Sequence, residues 1–85
     1  MNPGTGIENV LTVAQVYSFE QSIYIQLAEV IPHAQVTVYD LAGKEIYTSV
    51  MNTQLTEIPV NAPKGIYLVE IIAVEGRYTK KIYLD

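Results

Sequence analysis

Residues 64–85 have the sequence KGIYLVEIIAVEGRYTKKIYLD, in which two runs of β-branched and aromatic residues flank Glu75-Gly76. Such runs on either side of a short turn that contains glycine are typical of a β-hairpin. The sequence therefore predicts strands at residues 66–74 and 78–84, with Gly76 as a structural turn residue. Chain ends usually fray, so strand-forming residues at this end suggest that it is held or recognised.

A second turn is expected at residues 40–44, which have the sequence DLAGK. An aspartate followed three residues later by glycine suits a type I turn that closes with a residue in the left-handed region, a common hairpin loop. Asp40, Gly43 and Lys44 are accordingly predicted to be structural turn residues between strands at 35–39 and 45–50.

Three further segments, at residues 10–16, 21–28 and 56–60, also have strand-like composition. Pro59 cannot donate a main-chain hydrogen bond, which predicts an edge position for the last of them. Residues 65–74 are apolar on both faces apart from Glu70, and this pattern predicts the most buried strand of the fold.

Seven short strands within 85 residues, with turns about every 8–12 residues, predict an all-β fold built as an antiparallel β-sandwich. No segment has the apolar period of a capped helix. One domain is expected at residues 10–85. Residues 1–9 contain Asn, Pro and Gly and are expected to be a linker or an added segment, so that the chain is a fragment of a longer protein.

The composition excludes several classes of protein. Nine acidic and five basic residues give a formal net charge of −4, which does not fit a nucleic-acid-binding domain. The chain has no cysteine, so neither disulfides nor a Cys/His metal cluster can stabilise it. No apolar run approaches the length of about 18 residues that a membrane span requires.

Residues that could perform chemistry are few. His33 is the one histidine and follows Pro32 in a turn, without partners for a catalytic set. The acidic residues are scattered, and Asp40 alone would be a weak calcium ligand. No helix follows the turn glycines, which argues against a phosphate-binding loop. We therefore expect no catalysis, no cofactor and no metal.

Two surface features are open to a functional interpretation. The seven tyrosines could include a sugar-stacking platform, although such rings more often lie between core and surface with their hydroxyls in water. Lys80 and Lys81 alternate to opposite faces of the last strand. They could protect a sheet edge from further pairing, or they could belong to a basic and aromatic tail that another protein recognises.

Three segments resemble, in order and spacing, motifs of the C-terminal sorting domain of the type IX secretion system of Bacteroidota, in its type A variety. They are VTVYDLAGKEI at residues 36–46, IPV to KGIYLV at residues 58–69, and YTKKIYL at residues 78–84. The sequence GIEN at residues 6–9 also resembles the start of such domains, so the resemblance covers residues 7–85. Many members carry Pro-Asn-Pro where this chain has Ser18-Phe19-Glu20.

The resemblance implies an immunoglobulin-like sandwich of about seven strands at the end of a larger exported protein. Such a domain is an address without catalytic activity, recognised by the outer-membrane translocon. A sortase-like peptidase often removes it, which here implies cleavage in or before residues 2–9. The resemblance also implies that an N-terminal cargo domain in the same chain is transported through the periplasm to the cell surface or the medium.

By motif match, the resemblance also implies which residues a partner recognises. They are Gly65, Ile66, Tyr67, Lys80, Lys81, Ile82, Tyr83 and Leu84. An exposed terminal strand offers main-chain hydrogen bonds for strand addition, with side chains that set specificity.

Two alternatives come from other functional classes. The domain could be an accessory β-sandwich of an extracellular enzyme or adhesin that binds glycan or acts as a spacer. It could also be an assembly module that forms a dimer through an exposed edge strand.

Overall fold

A computed structural model describes residues 13–74 and 76–85. These residues form seven strands and no helix, which confirms the all-β prediction. The expected linker at residues 1–9 and the predicted strand start at Val10 lie outside the described residues. Within the described part of the chain, no helix is long and apolar enough to cross a membrane.

Seven strands follow one another along the described residues. They are β1 (Val13–Phe19), β2 (Ser22–Leu27), β3 (Ala34–Tyr39), β4 (Glu45–Met51), β5 (Leu55–Pro59), β6 (Gly65–Ala73) and β7 (Gly76–Leu84).

The first strand differs most from its predicted position, because it continues beyond Val16 to Phe19. Ser18 pairs with Ile23 and Phe19 pairs with Ser22, so the hairpin extends to a two-residue turn at Glu20 and Gln21. Both turn residues have positive φ values, 50° and 65°. Main-chain pairing thus continues through the position where many members of the resembled family carry Pro-Asn-Pro. A proline there would have no N–H group to donate to the ladder, whereas Ser18 has one.

The strands form two antiparallel sheets, with the orders β1-β2-β5 and β4-β3-β6-β7. This arrangement is that of an immunoglobulin-like sandwich in which the fourth strand joins the sheet of the third, sixth and seventh. The strand that contains Pro59 lies at an edge, as predicted. The sheets pack with one face each against a common core.

The core consists of side chains that alternate inward along the central strands. The fully buried ones include Ile23, Ile25 and Leu27 of β2, Val36 and Val38 of β3, and Val69 and Ile71 of β6. Each buried side chain of this kind contributes about 1.5–3 kcal/mol relative to an exposed one. The inward faces of the two sheets therefore hold the fold together without disulfides.

The prediction that residues 65–74 form the most buried strand is wrong. Ile66 and Ile72 of β6 are 43% and 41% exposed, and Val74 beyond the strand is almost fully exposed. Although β6 is central in its sheet, only one of its faces packs on the core, and the other forms the outer surface of the sandwich. Apolar residues on both faces thus give β6 an apolar outer surface.

Candidate recognition surface

The two segments predicted to bind a partner lie side by side. Strands β6 and β7 pair so that Ile66 is opposite Tyr83 and Tyr67 is opposite Ile82. Gly65 is opposite Leu84 at the end of the ladder. The hairpin therefore places the predicted residues 65–67 next to the predicted residues 82–84 on one part of the sheet.

Strand alternation divides this set into two groups. Tyr67, Ile82 and Leu84 point inward and belong to the core. The Tyr67 hydroxyl also donates a hydrogen bond to the Pro63 carbonyl. Because these three side chains are buried in the core, they fix the position of the hairpin on the sandwich.

Ile66, Lys81 and Tyr83 form the second group and are exposed on the outer face. Ile66 and Tyr83 are direct cross-strand neighbours, and side chains in such pairs contact each other. Lys81 is opposite Leu68, one step further along the same face. The exposed group can be reached by a partner without any change in the fold.

Lys80 has a different environment from Lys81. It lies on the core-facing side of β7, and its Nζ donates a hydrogen bond of 3.0 Å to the main-chain carbonyl of Val16 in β1. The Ser18 hydroxyl donates to the Tyr83 carbonyl a few residues away. The edges of β1 and β7, which belong to different sheets, are therefore joined at two points. The expected alternation of the two lysines to opposite faces is confirmed.

The turn at residues 40–44 has the predicted form. The Gly43 amide donates to the Asp40 carbonyl at 3.0 Å, and Gly43 has φ = 89°, in the left-handed region. One carboxylate oxygen of Asp40 accepts hydrogen bonds from the amides of Ala42 (3.0 Å) and Lys44 (2.8 Å). The carboxylate is thus occupied by its own turn.

An open groove of about 410 Å³ lies on the outer face of the four-stranded sheet, beside this turn. It is lined by Tyr39, Asp40, Leu41 and Gly43 at the end of β3, by Leu68 and Glu70 of β6, and by Lys81 of β7. Tyr39, Leu68 and Lys81 form one row across three neighbouring strands. All three sequence motifs or their immediate extensions therefore contribute to a single concave surface, which we call the outer groove.

The charges in the outer groove are unequally satisfied. The Glu70 carboxylate accepts a hydrogen bond from the Tyr39 hydroxyl (3.2 Å) and forms an ion pair with Arg77 (3.7 Å). The hydrogen bond to Glu70, together with desolvation, raises the pKa of Tyr39 above its ordinary value of 10.0. Lys81 has no hydrogen-bonding or ionic partner among the described residues. The groove therefore combines leucine side chains with one cation that is available to a ligand.

The opposite face of the sandwich also carries exposed aromatic residues. The rings of Tyr17 and Tyr24 stack at a centroid distance of 5.1 Å and an interplanar angle of 13°. The Tyr24 hydroxyl donates to Glu57 at 3.3 Å, and desolvation and the charge of Glu57 raise the pKa of Tyr24. Phe19 nearby is 58% exposed. Because the tyrosines cover each other, one face of each ring is closed to a ligand.

The one histidine lies apart from any cluster of possible metal ligands in the described residues. No group of three or more His, Cys, Asp or Glu residues in the described part of the chain could hold a metal ion. His33 is an exposed turn residue with φ = 61°, and its main-chain amide donates to Asn52.

Comparison with known protein families agrees with this geometry. A family model described as the secretion system C-terminal sorting domain matches residues 19–85, which include every strand from β2 to β7 and the whole outer groove. The chain belongs to this family. Its members are sorting signals of type IX secretion and are in general non-catalytic. No curated protein matches the chain.

Sorting-domain membership implies export of a parent protein to the cell surface or its secretion. It also implies that the domain acts within a larger cargo chain that the secretion system handles. The matched region ends with the hairpin that contains Lys81 and Tyr83.

Sequence reasoning did not identify Tyr39, Leu41, Leu68 and Glu70 as parts of the site. Their proximity depends on the register of β3, β6 and β7, which pairs residues far apart in the chain. One signal was present in the sequence: by alternation, Leu68 and Glu70 share a strand face with Ile66.

Proposed function

We propose that this sorting domain is a non-catalytic signal that directs its cargo protein across the outer membrane to the cell surface by type IX secretion. The observation that supports it best is the convergence of the family motifs on the outer groove. Each of the three motifs places an exposed or half-exposed side chain there, namely Leu41, Leu68 and Lys81.

The outer groove is the part of the domain that the translocon recognises. Leu41 and Leu68 offer an apolar surface, and the Lys81 ammonium offers a charge that nothing in the described chain satisfies. A complementary segment carries an apolar side chain next to a carboxylate, because a paired charge gives specificity as well as attraction. The neighbouring pair Ile66 and Tyr83 extends this contact along β6 and β7.

The remaining residues of the predicted set act indirectly. Gly65, Tyr67, Ile82 and Leu84 hold the terminal hairpin in register. Lys80 fixes the hairpin to β1. In this proposal they position the exposed side chains, and the partner contacts Ile66, Lys81 and Tyr83.

The proposed route includes the partners that the resemblance implies. The N-terminal cargo domain passes through the periplasm, the outer-membrane translocon recognises the folded sorting domain, and a sortase-like peptidase cleaves in or before residues 2–9. Neither nucleic acid nor a cofactor takes part.

A transfer experiment tests the sorting function. The chain is fused to the C-terminus of a reporter that carries a secretory signal, and the fusion is expressed in a bacterium with an active type IX system. We expect the reporter to become accessible to external protease, and to stay inside the cell in a strain without the translocon. A reporter that stays inside both strains would contradict the sorting function.

The glycan-binding alternative rests on the exposed aromatic face. Tyr17 and Phe19 are available there, and stacking on sugar rings is a common use of such side chains. However, Tyr17 is already stacked on Tyr24. Specific retention on a glycan array that is lost in Phe19→Ala would favour this alternative.

A further inference from the structure

The outer face of the three-stranded sheet consists of three cross-strand rows. From one end of the strands to the other, the rows are Gln15-Gln26-Leu55, Tyr17-Tyr24-Glu57 and Phe19-Ser22-Pro59. Ile23, Ile25 and Ile58, which lie between these positions, point inward and are fully buried. The outer face therefore presents aromatic, amide and carboxylate side chains together, and we call it the aromatic face.

Two aromatic rings of this face are open to solvent. Tyr17 is 42% exposed and Phe19 is 58% exposed, two residues apart on β1. Phe19 and Pro59 flank the buried Ser22, so their row is a largely apolar floor. An open cavity of about 230 Å³ lies at this end of the face, lined by Glu20, Gln21, Ser22, Pro59, Val60 and Asn61. Exposed aromatic side chains beside a concave surface are typical of a binding site.

The charge on this side of the molecule has one sign. Residues 13–33 and 52–61, which include β1, β2, β5 and their loops, contain neither lysine nor arginine. Their carboxylates are those of Glu20, Glu29 and Glu57. All five basic residues of the chain lie within positions 44–81, and the Lys80 ammonium that reaches β1 is bonded to the Val16 carbonyl. The aromatic face therefore attracts cations and repels anions.

We propose that the aromatic face binds an arginine-containing segment of a partner protein. A guanidinium group stacks on an aromatic ring and at the same time donates hydrogen bonds to a carboxylate. Tyr17 and Glu57 belong to one row, and Phe19 adjoins the cavity that Glu20 lines. The face thus offers a ring together with a carboxylate at two levels.

The same features disfavour other ligands. The glutamates repel nucleic acid and acidic lipid. Sugar rings stack on free ring faces, whereas the rings of Tyr17 and Tyr24 cover each other at a centroid distance of 5.1 Å. A lysine ammonium is a compact and strongly hydrated charge that does not stack as a planar guanidinium does. Arginine is therefore the side chain that uses both the rings and the carboxylates.

An extended segment matches the spacing of the face. Each residue of an extended chain rises about 3.3 Å, so residues on one side of it repeat about every 6.6 Å. The rows of Tyr17 and Phe19 are likewise two residues apart on β1. Arginines at every second position of a segment that lies along the strands therefore reach both rows.

The aromatic face and the outer groove lie on opposite sides of the sandwich. The groove offers the Lys81 ammonium, whereas the aromatic face offers carboxylates, so the two surfaces select ligands of opposite charge. Because the core separates them, both can be occupied at once. The inference does not rest on the proposed sorting function, and its failure would leave the outcome of the transfer experiment unchanged.

An NMR titration of the isotope-labelled chain with a capped peptide of alternating serine and arginine tests the inference. We expect shifts concentrated on the amides of β1, β2 and β5, while those of β7 do not change. The corresponding serine–lysine peptide should bind about threefold more weakly, because it lacks the planar group that stacks on the rings. The serine–glutamate peptide should not bind, and added salt should weaken the arginine complex.

Two variants separate the aromatic and the ionic contributions. Phe19→Ala and Glu57→Gln should each weaken binding of the arginine peptide about three- to tenfold. Both side chains are exposed, and glutamine keeps an oxygen for the Tyr24 hydroxyl. Tyr83→Ala and Glu45→Gln are the matched controls, because they remove an exposed ring and an exposed carboxylate from the other sheet. Both controls should bind the peptide like the parent chain.

Several results would overturn the inference. They are a lack of binding, equal binding of the arginine and glutamate peptides, and equal losses in Glu57→Gln and Glu45→Gln. Shifts on the aromatic face that grow with protein concentration in the absence of peptide would overturn it as well, because they would identify a second copy of the chain as the occupant. Specific binding of a neutral glycan that Phe19→Ala abolishes, with no binding of the arginine peptide, would instead assign the face to sugar.

Discussion

The Lys80 ammonium and the Val16 carbonyl form a 3.0 Å hydrogen bond that joins the last strand of one sheet to the first strand of the other. The next residue, Lys81, points to the opposite face and lines the outer groove. Adjacent lysines in the terminal motif therefore serve different purposes: Lys80 supports the fold, and Lys81 is available to a partner.

Replacement of Lys80 by methionine should lower the free energy of unfolding by about 1–2 kcal/mol. A hydrogen bond to a charged group contributes roughly 1.5–3 kcal/mol, and the exposure of Lys80 reduces that contribution. Urea denaturation measures the change. Lys81→Met is the matched control and should change stability by less than about 0.5 kcal/mol. Equal losses in both variants would contradict the different roles of the two lysines.

Loss of the Asp40 carboxylate should weaken the turn at residues 40–44. Asp40→Ala leaves the amides of Ala42 and Lys44 without their acceptor, and we expect a cost of about 1–2 kcal/mol. Asp40→Asn keeps an acceptor oxygen and should recover most of the loss. Thermal unfolding of the three proteins under one condition checks the order of stability, and no recovery by asparagine would argue against the turn geometry.

Truncation of Leu84 should be far more destabilising than truncation of its neighbour. Leu84 is fully buried, so Leu84→Ala should cost about 2–5 kcal/mol. Tyr83 is exposed on the outer face, and Tyr83→Ala should cost less than about 1 kcal/mol. Denaturant unfolding compares them. Similar stability of both variants would show that the chain end does not belong to the core.

The alkaline titration should reveal the contact between Tyr39 and Glu70. The raised pKa of Tyr39 means that the folded state holds this proton more tightly than the unfolded state. Its contribution to stability is complete below the unfolded pKa of 10.0 and decreases as pH rises through the folded value. Ultraviolet absorbance should show late-titrating phenols, of which that of Tyr39 is lost in Tyr39→Phe while that of Tyr24 remains. An unchanged titration curve in that variant would contradict the contact.

The sequence was sufficient to predict the fold class and the approximate positions of all seven strands. Local patterns achieved this, because alternation and turn residues such as Asp40 and Gly43 act within a few positions. The extension of β1 to Phe19 was not predicted, since the turn at Glu20 and Gln21 lacks glycine and proline. The burial of β6 was also misjudged, because apolar residues on both faces do not show which face meets the other sheet.

The site was harder to predict than the fold for a physical reason. The resemblance indicated Lys81 and Tyr83 but not their different neighbours. The outer groove forms only when Tyr39, Leu68 and Lys81 come into one row, which depends on non-local strand register. Local sequence patterns do not contain that register.

The most direct test of the central claim is the fraction of a cargo protein delivered to the cell surface by a sorting domain with Lys81→Glu. Lys64→Glu, an exposed lysine outside the outer groove, is the matched control with the same change of charge. We predict that Lys81→Glu folds normally but leaves its cargo inside the cell, while Lys64→Glu is delivered like the parent. Equal delivery of both variants would contradict recognition at the outer groove.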